Sequence, residues 1–532
     1  MRADRLLPPT VSRIRSPVGE PMRRIGEEMR EAGLVKRISS AETQSAVFYA
    51  SRFTRYASHA PQAAVVLLVA LAACGGGETP PTPPEGAVGT LAYVVTECRE
   101  GAADGTLRQE LQILSDDHAP VTVMAVGPVA VPPASVECRV NGINRYGPGF
   151  VLDGAFQRLG VSPDGSAVVF EVTDDFSLVA PHALPPDQKG IYFAHADGSG
   201  LRRLGPASRD ANFRIGIGID PYFRFSPDGR TIVFSDRGPD PSGEEAVQIV
   251  MQDVITGERT QVTHLPSVHS PNTGLETGGP AFLDDRTIVF FSVANPDGLN
   301  PSGDLVVFTV SRDGTNLKQV PPPITLPGSR LLPSFSITGT NRFLFRQVLP
   351  GPAVNGDALG EPGAPILEIF VSDGKNVLQL TNFRRVDTGD FGHSLSPDGA
   401  RAFFTASADL GDNMGENCQL FTTDAFGGGL RQLTRFREGQ HSGNGCFYNR
   451  APGCAITLFN AFAPSQDART GTLVFYSSCD PFGTNPNGGQ LFAMRPDGTG
   501  LRQLTAVRGL VRQADGSAAV ELPGPYVYGP YR

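Results

Sequence analysis

A two-part phrase repeats from residue 89 to the end of the chain, and it restricts the fold more than any other feature. Its first half is clearest as FRFSPDGRTIVFSD (residues 223–236) and its second as QLFAMRPDGTGLRQLT (residues 490–505). A Ser-Pro-Asp-Gly turn with an apolar strand comes first. A further strand, an Asp-Gly turn and a strand ending in Leu-Thr follow. A four-strand unit of this size cannot bury its own faces, so copies of it must stack side by side.

The aromatic that closes the second strand marks each copy: Tyr93, Phe170, Phe234, Phe290, Phe345, Phe404 and Phe475. The preceding turn is intact at Ser162–Gly165, Ser226–Gly229 and Ser396–Gly399, and has decayed at Leu283–Arg286 and Ile337–Thr340. The Asp-Gly of the second half stands at Asp197–Gly198, Asp313–Gly314, Asp373–Gly374 and Asp497–Gly498. Proline presets φ in such turns and glycine supplies positive φ, so both favour hairpins. Strands such as Thr231–Phe234 are nearly all apolar, which suits sheets covered on both faces. The expected fold is therefore all-β: a β-propeller of seven four-stranded blades, with six and eight as the alternatives. Blade one opens at Gly89–Thr96 with a second strand and no first strand before it. The C-terminal PYVYGPY (Pro525–Tyr531) mimics DPYFRF (Asp220–Phe225). It is expected to close the ring inside blade one and so remove exposed sheet edges.

These residues resemble the TolB-type repeat, the WD40-like β-propeller of bacterial envelope proteins, over about residues 89–532. The resemblance implies the fold and leaves the activity open, since one fold hosts many functions. The family's namesake has six blades and an added N-terminal domain. One more blade, and no such domain, is expected here.

Glycine (62) and proline (46) make up about a fifth of the 532 residues, as frequent turns require. There is no tryptophan, so Phe fills the large-aromatic role. Residues 1–60 carry eleven basic and six acidic side chains, which leaves −14 on the rest of a chain of net charge −9. That acidic balance argues against a nucleic-acid partner, which calls for a basic stripe.

An uncharged apolar run of eleven residues, Ala63–Ala73, ends in Leu71-Ala72-Ala73-Cys74, with Arg52 and Arg55 upstream. It is shorter than the roughly 20 residues of a membrane span and suits a signal-peptide core. Leu-Ala-Ala-Cys before glycines resembles the bacterial lipoprotein box, which implies lipidation of Cys74 and a mature N-terminus there. Residues 61–74 are thus the signal core and lipobox, and residues 75–88 (GGGETPPTPPEGAV) a Gly/Pro tether. Residues 89–532 form the propeller. About 50 residues precede the signal. Translation is expected to start downstream, so that residues 1–60 have no place in the mature protein. The expected address is the bacterial cell envelope, lipid-anchored, in the periplasm or at the cell surface.

Setting Cys74 aside leaves Cys98, Cys138, Cys418, Cys446, Cys454 and Cys479, an even six that suits an oxidising compartment. The turns inside each phrase lie on one face of a propeller, and the connections after the aromatic strand and after Leu-Thr lie on the other. The cysteines map to or border that second face, as do the long insertions 171–189, 265–279, 346–365, 382–391 and 435–461. Cys98 can meet Cys138 there. The late four allow three pairings, of which Cys446–Cys454 with Cys418–Cys479 is the one expected.

The residues offer little catalytic chemistry. The Asp of each Ser-Pro-Asp-Gly recurs in a turn and reads as a backbone cap, since a catalytic acid would appear once. His182, His195, His264, His269, His393 and His441 are scattered, without a compact zinc spacing. His393 stands out because it precedes a strand near the axis, although a structural role fits it better. No Gly-x-Ser-x-Gly elbow occurs. The loops DPFGTNPNGG (480–489), NPDGLNPSGD (295–304) and ADLGDNMGEN (408–417) hold oxygens of the kind calcium takes, but at no EF-hand spacing. No cofactor is called for, and calcium is the one ion to weigh. Three function classes fit. The first is a non-catalytic envelope scaffold that binds an envelope protein or cell-wall polymer. The second is a polysaccharide lyase or hydrolase acting at the long-loop mouth. The third is a carbohydrate-binding surface module, which the absence of tryptophan disfavours.

Overall fold

The computed structural model describes residues 87–99, 105–115, 118–131, 155–173, 184–209, 223–267, 277–320, 330–338, 342–349, 366–373, 376–383, 392–406, 419–436, 464–477, 479–484, 489–512 and 518–528. These residues form seven antiparallel sheets, six of four strands and one of five. Blade two runs, inner strand first, through Phe156–Val161, Ala167–Val172, Gly190–His195 and Arg202–Gly205. Blade three follows with Arg224–Phe225, Thr231–Pro239, Glu245–Asp253 and Arg259–Gln261. Blade four is Thr277–Phe282, Thr287–Ser292, Val306–Ser311 and Lys318–Gln319. Blade five is Arg330–Thr338, Arg342–Leu349, Ile366–Ser372 and Val377–Gln379. Blade six is His393–Leu395, Arg401–Ala406, Gln419–Asp424 and Arg431–Gln432. Blade seven is Ser465–Gln466, Leu473–Ser477, Gln490–Met494 and Arg502–Gln503. Inner strands of successive blades touch all the way round, so the ring is closed.

Closure is made in blade one. The C-terminal strand Ala518–Tyr528 pairs antiparallel with Thr90–Arg99, setting Leu91 opposite Tyr528 and Arg99 opposite Ala519. Gly105–Ser115 and Val121–Val131 complete the blade outward. The closing strand begins seven residues before the expected Pro525, and residues 529–531 lie outside the described residues. A further strand, Gly509–Arg512, pairs with its first part and makes this sheet five-stranded. Among the described residues no strand pairs with the inner edge of the closing strand past Glu521, and Pro523 and Pro525 stand in that stretch, as suits an edge. The tether also ends earlier than its composition suggests: Ala87 and Val88 are buried.

The repeated residues explain themselves once folded. In the Ser-Pro-Asp-Gly turns, Ser162, Ser226 and Ser396 each donate Oγ–H to the Asp two residues on and accept the N–H five residues on. Asp164, Asp228 and Asp398 accept N–H bonds from Ser166, Arg230 and Ala400 at 3.0–3.1 Å, the capping role expected of them. Gly165, Gly229 and Gly399 take φ of 73°, 70° and 67°, where a side chain would be strained. The marker aromatic stacks on an aromatic directly opposite in the third strand: Phe170 on Tyr192, Phe290 on Phe308, Phe345 on Phe370, Phe404 on Phe421 and Phe475 on Phe492, with centroids 5.5–5.9 Å apart.

The Leu-Thr ending is a latch. Thr505 Oγ1 accepts the Leu491 N–H at 2.9 Å and donates to Gln490 Oε1 at 2.7 Å. Thr434 does the same with Leu420 and Gln419, and Thr263 with Ile249 and Gln248. In blade five Glu368 replaces the glutamine and accepts from Thr381 Oγ1 and the Phe383 N–H. Thr505→Val keeps the shape and strips both bonds, so it should cost about 1–3 kcal/mol in chemical denaturation. An unchanged midpoint would show that the latch contributes nothing.

Candidate functional site

Blade three breaks the aromatic rule. Val250 stands opposite Phe234 where five other blades carry an aromatic. Two guanidinium groups cover the Phe234 ring instead, Arg259 with Cζ 5.4 Å and Arg158 with Cζ 5.9 Å from its centroid. Cations favour the negative face of an aromatic ring. Phe223 closes on the same ring edge-on at 5.4 Å.

The two arginines belong to a charged cluster between blades two and three. Arg158 sits at a register irregularity in the inner strand of blade two and pairs with Glu171 at 3.2 Å. Both are almost wholly buried, at 3% and 2% side-chain exposure. Arg158 Nη2 also donates to Ser235 Oγ of blade three at 3.3 Å. Arg259 reaches across from the outer strand of blade three to Asp236 at 3.0 Å and donates to the Pro206 carbonyl of blade two. Backbone donors complete the set: Ser208 N–H to Glu171 Oε1 at 2.5 Å, and Arg209 N–H to Asp236 Oδ1 at 2.6 Å. Burial pushes the Glu171 carboxyl above its ordinary value, and the Arg158 charge offsets part of that rise.

Local sequence makes the room. Blade two ends in Leu204-Gly205 instead of Leu-Thr, and a Cβ on Gly205 would lie 3.2 Å from Gln252 Nε2 and 3.5 Å from Arg259 Nη2. Glu171, Ser235 and Asp236 follow the marker aromatics, toward the face that carries the long insertions. Chemically the cluster is an inter-blade clasp: two carboxylates and two guanidiniums, each committed to a partner across or beside the seam. None of its four charged residues was singled out from the sequence.

The sequence candidates that fall among the described residues are not brought together. His195 is exposed in blade two against Phe193, His264 Nδ1 lies 3.0 Å from Gln261 Nε2 in blade three, and His393 is buried in blade six opposite Phe404. His182, His269 and His441 lie outside the described residues, as do Cys74, Cys138, Cys418, Cys446, Cys454 and the side chain of Cys98. In the loop 295–304 the buried Asn300 donates its amide to the carbonyls of Val293, Ala294 and Asp304 at 2.9–3.2 Å, so that loop holds itself. In the loop 480–489 Asp480 caps the Thr484 N–H at 2.7 Å, and the loop 408–417 lies outside the described residues. Among the described residues no group of three or more His, Cys, Asp or Glu is placed to hold a metal ion.

No protein-family model and no curated protein matches the chain. Its sheets are similar to those of solved propeller-bearing proteins. The tricorn protease is 13% identical with a TM-score of 0.36, over 68% of this chain and 27% of its own, so this chain spans about a quarter of that protein. An oligogalacturonate lyase from Vibrio parahaemolyticus is 10% identical with a TM-score of 0.42, covering 72% and 87% of the two chains. A putative TolB from Agrobacterium tumefaciens is 15% identical with a TM-score of 0.28, covering 57% and 94%. The likeness is one of fold. At these low scores the assignment as a propeller stands on the sheet order and the closed ring of inner strands.

Proposed function

We propose that this chain is a non-catalytic, lipid-anchored envelope protein whose propeller is a binding scaffold for another envelope protein or a cell-wall polymer. One observation carries the reading. The charged side chains that converge between blades, Arg158, Glu171, Asp236 and Arg259, are paired with one another and so hold the scaffold together. The same is true of the repeated Gln–Thr latches. Loops of differing length on one face then supply the variable surface, as is usual for recognition on a rigid frame. The test is incubation of the purified protein with acidic and neutral bacterial and plant polysaccharides, assayed for new reducing ends and unsaturated products. No product is expected. Cleavage abolished by a single substitution at the long-loop mouth would overturn the scaffold reading in favour of a polysaccharide-acting enzyme.

The address rests on Leu71–Cys74 and on cysteine use. Cys479 is buried, and the even six cysteines besides Cys74 suit an oxidising compartment. Intact mass analysis of the natively expressed protein should find a chain beginning at a lipidated Cys74. An unmodified N-terminus upstream of Cys74 would contradict the anchor. Two or more acyl chains, at about 0.8 kcal/mol per buried methylene, give stable attachment.

A further inference from the structure

The polypeptide enters the propeller on the face of the tight turns. Thr472 Oγ1, beside the first turn of blade seven, donates to the Ala87 carbonyl at 2.9 Å. Val88 packs among Val474, Tyr476, Leu491 and Ala493 of the same blade. Gly89, at φ 69°, lies so close to Asp467 that a Cβ would come within 2.6 Å of its carboxylate. Thr90 Oγ1 then donates at 2.6 Å to the Gly165 carbonyl in the Ser-Pro-Asp-Gly turn of blade two. The point of arrival is thus pinned between the tight turns of blades seven and two. From it Thr90–Arg99 runs toward the opposite face, and the closing strand comes back to end beside Leu91.

From this placement we infer that the tight-turn face is the membrane-proximal face, and that the long-loop face is presented away from the lipid surface. The inference rests on the reading of Cys74 as the lipidated residue. Thirteen residue steps separate Cys74 from Ala87. At no more than about 3.3–3.6 Å per residue they reach roughly 45 Å when drawn taut. Passing round the outer edge of blade one to the other face takes two strand spacings of about 4.8 Å, plus about 36 Å along the 11-residue outer strand Val121–Val131. That path is also roughly 45 Å. The long-loop face could therefore meet the membrane only with every residue of the tether extended and laid against the blade. The tight-turn face meets it at any tether extension. The arrangement leaves the varied loops facing the partner and the short turns facing the bilayer.

The test compares two positions in blade four. Asp285 is exposed in a tight turn, and Leu299 is exposed in the loop on the other face. An azide-bearing residue at either site takes a donor dye. The full chain with its native N-terminus is then placed in phosphatidylethanolamine–phosphatidylglycerol vesicles doped with an acceptor lipid. The six-residue strand between the two faces, Thr287–Ser292, spans about 20 Å. Energy transfer from Asp285 should accordingly exceed that from Leu299 several-fold. Equal transfer, or more from Leu299, would overturn the orientation. Mass analysis of the N-terminal peptide separates the two readings. If Cys74 proves unlipidated, the anchor fails on its own, and the same comparison is made on chain coupled through Cys74 to a maleimide lipid.

Discussion

Truncation after Arg512 is expected to unfold the propeller, where loss of an ordinary tail would leave it intact. The deletion removes the whole closing strand and its eight register pairs with Leu91–Arg99. Thr90–Arg99 would become the inner edge of an open ring, with the backbone groups that faced the closing strand left unpaired. Each buried backbone group left without a partner costs roughly 1–3 kcal/mol. Several together rival the roughly 5–15 kcal/mol that holds a typical domain. The check is a denaturant titration followed by far-ultraviolet dichroism. A truncated chain with the full-length midpoint would show that the ring does not depend on its C-terminal strand.

Arg158→Met is expected to be the most damaging single substitution in the seam of blades two and three. It leaves the Glu171 carboxylate buried without its facing cation, and removal of one partner from a buried pair costs about 3–5 kcal/mol. Burial already raises the Glu171 carboxyl, so in the variant it should take up a proton to escape the penalty. Adding Glu171→Gln should accordingly recover part of the loss, because the uncompensated charge is gone. Denaturation of the two single variants and the double variant reads the coupling directly. Additive losses would mean that the pair does not act as a unit.

The fold was legible because the repeat carries its own turn chemistry. Ser-Pro-Asp-Gly fixes where a hairpin turns, the marker aromatic fixes which strand packs inside, and Leu-Thr fixes where the last strand ends. The seam between blades two and three was not legible. Each ion pair lies within one copy of the repeat, Arg158–Glu171 in blade two and Arg259–Asp236 in blade three, and the bonds from Arg158 to Ser235 and from Arg259 to Pro206 join the copies only through packing, which no periodicity records. Two irregularities pointed to it in retrospect: Val250 in an aromatic position, and Gly205 in place of the latch threonine. Composition misled at the other boundary. The Gly/Pro-rich tether ends in Ala87-Val88, and those two apolar side chains are drawn into blade seven. The closing strand is longer than its aromatic signature, because Ala518–Leu522 pairs through backbone and needs no motif. A repeat signature locates what the copies share; the site and the seam are where they differ.

Closure of seven blades by the C-terminal strand is tested most directly by native-state hydrogen exchange with peptide-resolved mass spectrometry. The peptides covering 90–99 and 518–528 should exchange as slowly as the second strands of the other blades, through opening of the whole domain. Fast exchange in 518–528, with 90–99 no less protected than its neighbours, would contradict the closure and with it the seven-bladed ring.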